Sequence, residues 1–189
     1  MNLFIPSALD WKEKGLKLTQ RTEFPDEETT KFTIDAAPAE AMTISLRYPE
    51  WSGKPEIKVN GKKVKVSGKP SSYISLRRQW KPGDVIEARY PMSLRVETTP
   101  DDAARGAVMY GPVLLVGDMG TEGMTAPAPF SDPTVRNDYY TYDYKVPQDL
   151  PTTLKVDAKN PAKSVTRAGK GLRFRSAQGH DLLPLYDAN

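Results

Sequence analysis

One stretch, residues 73–118, decides the fold: it reads YISLRRQWKPGDVIEARYPMSLRVETTPDDAARGAVMYGPVLLVGD. Four apolar runs follow one another in it, each alternating or continuously apolar over lengths that suit strands and are too short for helices. Turn-forming residues separate the runs, at 81–84, at Pro91 and at 100–102. The stretch therefore predicts antiparallel β structure.

The same pattern continues on the N-terminal side of this stretch. Met42–Tyr48 alternates strictly, which predicts a strand with one buried face. Residues 56–66 predict a β-hairpin around Asn60-Gly61, because that dipeptide tolerates the positive φ of a type I′ turn. A two-residue loop pairs Ile57 with Val64, and this register puts the apolar residues on one face and the lysines on the other.

The C-terminal side is less regular. A segment rich in glycine and proline follows Gly117. With no internal repeat and no helix of normal length, the predicted fold class is all-β, an antiparallel β-sandwich in two tandem modules with long irregular connections. We place a β-sandwich accessory domain at residues 1–120 and a smaller C-terminal β module, expected to be cut short, at residues 121–189. Its predicted strands lie at 139–144, 154–156, 172–175 and 182–187.

Composition excludes several function classes. The 189 residues are 38% hydrophobic and 27% charged, as expected for a globular chain. The net charge is only +3, and basic and acidic residues interleave, so neither nucleic acid nor a membrane surface is indicated as a partner. There is no cysteine and a single histidine, His180, which excludes thiolate chemistry and a zinc site built from His and Cys. No apolar run reaches membrane-spanning length, and no cofactor is predicted.

Candidate chemical groups are few. Glycoside hydrolysis needs two carboxylates roughly 5–10 Å apart across the scissile bond, whereas the acids here cluster in turns, at 26–28 and at Asp101 and Asp102. A role as solvated turn formers is favoured for them over a catalytic one. His180 has no nucleophile motif near it, so a structural or surface role is favoured over acid–base work.

Three alternating tyrosines, Tyr140, Tyr142 and Tyr144, would share one strand face. A row of exposed aromatic rings can stack on sugar rings. The competing interpretation, which we favour, is that tyrosines are good strand residues lining an edge. Trp51 and Trp80 sit at strand ends beside prolines, where packing is the favoured role.

Several segments of the chain resemble a known family. The resemblance is to the C-terminal region of the β-L-arabinofuranosidase family, glycoside hydrolase family 127, and it is spread over about the first 120 residues. The segments that carry it are 18–25, 47–51, 59–62, 73–84, 90–95 and 108–118.

The resemblance implies a division of labour. Family members carry an N-terminal (α/α)6 barrel that holds the catalytic acid and, in characterised members, a zinc-bound cysteine nucleophile; β-sandwiches follow it. This chain has no cysteine and no helical repeats, so no family catalytic residue maps onto it. The implied function is a non-catalytic accessory fragment that packs on the barrel of the same parent polypeptide, a periplasmic or extracellular glycoside hydrolase. Trp51, Asp101 and Asp102 are then the predicted barrel-facing positions, and a homodimer is a further expected partnership.

Two other functions stay open at this point. One is a carbohydrate-binding module that recognises plant-type polysaccharide through Tyr140, Tyr142 and Tyr144. The other is an independent hydrolase that uses the loop carboxylates.

Overall fold

The computed structural model describes residues 1–118 and 153–188 of the chain. Strands dominate these residues, which confirms the all-β prediction, and the helices among them are short 3-10 turns. No helix in this part of the chain has the length and apolarity to cross a membrane. The strands are β1 (Ser7–Trp11), β2 (Leu16–Thr22), β3 (Thr29–Ala36), β4 (Met42–Tyr48), β5 (Glu56–Val59), β6 (Lys62–Val64), β7 (Ser72–Arg78), β8 (Val85–Arg89), β9 (Leu94–Thr98), β10 (Gly106–Tyr110), β11 (Val113–Asp118), β12 (Val165–Arg167), β13 (Phe174–Ser176) and β14 (Asp181–Pro184), and the 3-10 turns are Lys12–Lys14, Pro161–Lys163 and Leu185–Asp187.

The first module is a two-layer sandwich. Its larger layer, sheet 1, has the strand order β1-β2-β3-β8-β5-β6, and β4 pairs with β7 to form a second layer, the cover sheet. Alternate apolar residues of both layers share one core, in which Phe32, Ile34 and Ile86 are at most 1% exposed. Trp80 is buried in the same core and donates from Nε1 to the Met42 carbonyl at 2.9 Å, which confirms its packing role.

The predicted hairpin is confirmed in turn type and register. Ile57 pairs with Val64 across β5 and β6, and Asn60 and Gly61 have φ values of 51° and 75°. The Asn60 amide ties this turn to the next one, because Nδ2 donates to Asp84 Oδ1 at 2.8 Å. That hydrogen bond, more than any other contact, holds the pKa of the Asp84 carboxyl below its usual value.

The second module contains one six-stranded sheet, sheet 2, in the described residues. Its order is β12-β13-β14-β11-β10-β9. Its core includes Val165, Phe174 and Leu182, each at most 2% exposed. Sheet 2 takes strands from both sides of residue 120, because β11 pairs with β14, while the first core ends at Tyr90. A separation of folding units between residues 120 and 121 stays a prediction.

Some predicted elements differ in the structure. The apolar run at 105–116 is split into β10 and β11 by a turn at Gly111, whose φ is 55°. Leu154–Val156 is not a strand, because side chains replace a strand partner there: Lys155 N donates to Gln178 Oε1 at 2.8 Å. The lead-in before Leu16 contains β1, which the alternation did not reveal. The predicted strand at 139–144 lies outside the described residues.

The outer face of sheet 1 carries a charge ladder. Lys31 Nζ lies 3.2 Å from Glu87 Oε1, directly across β3 and β8. Arg89 lies between two acids, with Nη2 at 2.8 Å from Glu28 Oε2 and Nη1 at 3.3 Å from Glu56 Oε1. Opposite charges therefore face each other in the register that the inner apolar face sets.

Candidate docking groove at the junction of the modules

Four aromatic side chains form a cluster beside the first core. Phe4 contacts Tyr90 and Phe24 with ring centroids 4.5 Å and 5.0 Å apart, and Phe24 stacks on Trp51 at 5.7 Å with 26° between the ring planes. Such aromatic pairs contribute about 0.5–1.5 kcal/mol each beyond their buried area. Tyr90 is fully buried, and burial raises the pKa of its hydroxyl well above the usual value. The cluster fixes the otherwise irregular N-terminal residues onto the sandwich.

This cluster forms one wall of a groove, the junction groove, with a volume of about 410 Å³. The groove lies between the first module and the β10–β11 turn of the second. Two apolar side chains at its rim, Leu3 and Ile5, are 66% and 55% exposed. Exposure of such side chains to water is unfavourable, and covering them with another apolar surface lowers the free energy. The lining residues are Asn2, Leu3, Phe4, Ile5, Phe24, Arg47, Pro49, Trp51 and Pro112.

Among the residues that the structure describes, the groove contains one cation, Arg47, without a counter-ion. Arg47 is half-buried, and no carboxylate or other acceptor among the described residues contacts its guanidinium. The carbonyl oxygen of the neighbouring Asn2 amide is already used, because Oδ1 accepts the Tyr73 hydroxyl at 2.7 Å. The groove thus offers a large apolar surface beside one guanidinium. That arrangement suits an apolar side chain with a carboxylate next to it, and offers few partners for sugar hydroxyls.

Three backbone contacts clamp the connection between the modules at 91–93. Gly53 N donates to the Pro91 carbonyl at 2.9 Å, and Gly111 N donates to the Ser93 carbonyl at 3.2 Å. Glu28 Oε1 accepts the Met92 N–H at 2.7 Å. Gly111 also packs directly on Met92, since a Cβ at this glycine would lie 2.4 Å from Sδ. Both modules hold the connection, which fixes the Pro112 wall of the groove against the first module.

The predicted barrel-facing residues lie in different places. Trp51 lines the junction groove and is half-buried. Asp101 and Asp102 lie in the β9–β10 loop, where Asp102 Oδ1 accepts the Ala104 N–H at 2.9 Å and Oδ2 lies 3.2 Å from Arg105 Nε. No described contact joins this loop to Trp51. A barrel-facing role for these three residues stays a prediction.

The other candidate residues do not form a site in the described residues. Tyr140, Tyr142 and Tyr144 lie outside these residues. His180 lies in the β13–β14 turn. Its backbone N–H donates to Ser176 Oγ at 3.0 Å, and its backbone carbonyl accepts the Ser176 N–H at 2.8 Å. Within 1–118 and 153–188, no group of three or more His, Cys, Asp and Glu side chains is arranged to hold a metal ion.

Of the nine residues that line the groove, sequence reasoning singled out Trp51 alone. Phe24 and Arg47 gave no signal, because they belong to distant segments that meet the N-terminal residues only in the fold. The one available clue was the apolar run at 3–5, which is too hydrophobic for a free lead-in.

The chain is similar to one family of proteins and to several solved structures. Residues 1–92 match a family described as "Beta-L-arabinofuranosidase, GH127 middle domain". A solved glycoside hydrolase is 32% identical over 59% of this chain and 20% of its own length, with a TM-score of 0.53. A GH127 β-L-arabinofuranosidase from Geobacillus stearothermophilus T6 shares the fold over 97% of this chain and 30% of its own length, at 18% identity and a TM-score of 0.59. No curated protein matches significantly. The chain thus spans 20–30% of the length of these two solved proteins.

Proposed function

We propose that this chain is a non-catalytic accessory part of a glycoside hydrolase, because residues 1–92 match the GH127 middle-domain family, in agreement with the resemblance found in the sequence. It packs on the catalytic (α/α)6 barrel of the same parent polypeptide. The observation that carries the proposal is the match itself, which covers the whole first module and ends at Met92, where the clamped connection begins. The chain's role is to support the barrel, and the parent's chemistry takes place elsewhere.

The junction groove supports this role. Its rim exposes Leu3 and Ile5, its wall includes Trp51, and Arg47 has no counter-ion among the described residues. Apolar surface around a large aromatic side chain and an arginine is the composition of an interface core. In our proposal the barrel fills the groove with an apolar side chain and places a carboxylate on Arg47.

The remaining parts of the proposal concern the parent protein. Its substrates are β-L-arabinofuranosides, and it works in the periplasm or outside the cell. Homodimerisation, and recognition of plant-type polysaccharide by Tyr140, Tyr142 and Tyr144, stay predictions without a described contact to support them.

Turnover by the purified chain tests the non-catalytic role. We expect no hydrolysis of p-nitrophenyl β-L-arabinofuranoside above the buffer rate, with an intact GH127 enzyme as the positive control. Turnover that follows the chain through purification and disappears on heat denaturation would contradict the proposal.

Binding in trans tests the packing role. The partner is the catalytic barrel of a GH127 enzyme, expressed without its own β modules and titrated with this chain by calorimetry. We expect Trp51→Ala and Arg47→Ala each to weaken binding about tenfold or more, as for residues at the centre of an interface. Tyr186→Ala is the matched control, since Tyr186 is 62% exposed, lies in the second module and does not line the groove. Equal binding by all variants, or no binding by the unaltered chain, contradicts the docking surface.

A further inference from the structure

The Asn60-Gly61 turn combines a residue that can lose its side-chain ammonia with the neighbour that obstructs this loss least. The dipeptide occurs once in the chain. Deamidation begins when the backbone nitrogen of the following residue attacks the asparagine Cγ, and glycine has no Cβ in the way. Both residues are exposed, and a Cβ built on Gly61 would meet no atom within 4 Å. The turn is therefore open to solvent and sterically permissive for this attack.

The nucleophile of such an attack, the Gly61 nitrogen, is not engaged elsewhere. Among the described residues no hydrogen bond uses its N–H. Lys62 and Lys63 follow it and are exposed, and their positive charge favours the deprotonated amide nitrogen that attacks. The tip of the hairpin thus offers an unshared N–H in a positive local field.

The asparagine side chain, in contrast, is held at both polar atoms. Asn60 Oδ1 accepts the Val85 N–H at 2.8 Å, and Nδ2 donates to Asp84 Oδ1 at 2.8 Å. The backbone N–H of Asn60 also donates to the Val85 carbonyl at 2.9 Å. Attack on Cγ draws the side chain towards Gly61 and turns the plane of its amide, which breaks both side-chain hydrogen bonds. The fold therefore restrains a reaction that the local sequence favours.

Asp84 is a firm anchor for this restraint. It is 8% exposed, and its second carboxylate oxygen accepts the Lys81 N–H at 2.9 Å. Its backbone carbonyl accepts the Ile34 N–H at 2.8 Å, which ties the residue to β3. The carboxyl is ionised in neutral solution, and hydrogen bonds to a charged acceptor are stronger than neutral ones. Of the two side-chain partners of Asn60, Asp84 is thus the one whose removal should release the amide.

We infer that Asn60 is a site of spontaneous deamidation, and that the hydrogen bonds from its side chain to Asp84 and Val85 control the rate. The Gly61 nitrogen gives its proton to hydroxide and bonds to Cγ. The Cγ–Nδ2 bond then breaks, and the departing nitrogen takes a proton from water and leaves as ammonia. The five-membered imide adds one water molecule and opens to aspartate or isoaspartate. This chemistry belongs to the chain itself and does not depend on the proposed function.

The product no longer fits the turn. A carboxylate at position 60 faces the Asp84 carboxylate across the former 2.8 Å contact, where two acceptors of like charge repel each other. Isoaspartate also lengthens the main chain by a carbon atom, which removes the two-residue loop that pairs Ile57 with Val64. Val64 and Val66 pack against the first core from this hairpin. Deamidation therefore loosens one edge of the first module, and it does so irreversibly.

Peptide mapping by mass spectrometry, during incubation in mildly alkaline buffer, tests the control of the rate. We expect Asn60 in the folded chain to deamidate about tenfold or more slowly than in the same chain in guanidinium chloride, because the reaction requires a local opening. Asp84→Ala should speed the reaction about tenfold under native conditions. Asp84→Asn, which keeps a neutral acceptor, should speed it less.

Two controls accompany this measurement. Ile74→Val weakens the first core at a residue that is 1% exposed and leaves the Asn60 hydrogen bonds intact, so its rate should equal that of the unaltered chain. Asn2, which is followed by the bulky Leu3, should stay unmodified in the same digests.

A pair of substitutions tests the consequence for the fold. Asn60→Asp places the carboxylate product against Asp84 and should lower Tm. Adding Asp84→Asn restores an amide–carboxylate pair in the reverse order, and should recover most of the loss.

Three results overturn the inference. They are equal deamidation rates in the folded and the denatured chain, equal acceleration by Asp84→Ala and Ile74→Val, and an Asn60 that stays unmodified in the Asp84→Ala variant. If Asp84→Ala does not fold, the rate of the Asp84→Asn variant decides: a rate equal to that of the unaltered chain, together with no recovery of Tm in the double variant, also contradicts the inference.

Discussion

The two modules reach their cores by different routes. In the first, three of the six strand pairings join strands that follow one another in the chain, whereas β3 with β8, β5 with β8 and β4 with β7 are distant, and two layers enclose Phe32 and Ile34 completely. In the second, the centre of the sheet is the pairing of β11 with β14, two strands on opposite sides of residues 119–152. Local pairings form with little loop entropy, whereas distant pairings must offset a larger closure cost. Both modules therefore depend on long-range pairings: three of them build the two layers of the first, and a single one joins the two parts of the second in the described residues.

The largest expected effect breaks the second module and spares the first. Phe174 is 2% exposed in the second core, and Phe174→Ala should cost about 3–5 kcal/mol of unfolding free energy, as for a buried aromatic side chain. Hydrogen exchange should then lose protection in β9–β14 and keep it in β2–β8. Phe32→Ala is the matched variant in the first core. Equal loss of protection in both modules of the Phe174 variant would mean that they unfold as one unit.

The next effect concerns the contact between the modules. Gly111→Ala adds a Cβ 2.4 Å from Met92 Sδ at a residue with φ of 55°. Strain and crowding together should cost about 2–4 kcal/mol in urea unfolding. Gly61→Ala, at φ of 75° with no atom within 4 Å of its added Cβ, carries only the strain of about 1–2 kcal/mol. Equal costs for the two variants would show that the Met92 contact contributes nothing.

A smaller expected loss of stability distinguishes the hydrogen bond from Glu28 to the connection at Met92 from the exposed ion pairs of the charge ladder. Glu28 accepts from Met92 N and pairs with Arg89, and its side chain is 21% exposed. Glu28→Gln should cost about 1–2 kcal/mol, because a charged acceptor is lost from a part-buried hydrogen bond. Glu56→Gln is the control, since its exposed ion pair with the same arginine should contribute about 0–1 kcal/mol. A larger loss for Glu56 in chemical denaturation would contradict this order.

The smallest expected effect is a pH-dependent change in stability. It distinguishes the Asp84 turn of the first module from the Ser176 turn of the second. The Asp84 pKa is depressed in the folded state, chiefly by the Asn60 hydrogen bond. Its contribution is therefore present above the unfolded aspartate pKa of about 3.9 and is lost as the pH falls through the lower folded value. In the second module the corresponding turn uses the Ser176 hydroxyl, which does not titrate in this range. The stability difference between the unaltered chain and Asp84→Asn should shrink as the pH falls from 5 towards about 2; a difference independent of pH contradicts the assignment.

Local pattern was sufficient to predict much of the first module. The strict alternation of Met42–Tyr48 and the Asn60-Gly61 dipeptide specify a strand and a hairpin by themselves, and both lie where they were predicted. The strand at Leu154–Val156 was predicted from the same kind of pattern and is absent, because the side chain of Gln178 satisfies the backbone there. Alternation predicts which side of a segment is buried, and it cannot tell a strand partner from a side-chain one.

The candidate groove was less predictable for a related reason. Trp51 was among the predicted barrel-facing positions, but its neighbours Phe4 and Phe24 come from other segments. The importance of Arg47 depends on the lack of an acid within reach in the described residues, which is a property of the folded arrangement.

The charge ladder on the outer face of sheet 1 affects how a large partner approaches the molecule. Lysine and arginine alternate there with glutamate at the spacing of the strands, so the positive and negative potentials cancel within a few ångströms of the surface. A face of this kind neither draws in charged polymers nor repels them, and it stays hydrated. Approach of a large neighbour is then governed by the apolar junction groove, and the orientation of the encounter is decided by desolvation instead of by long-range steering.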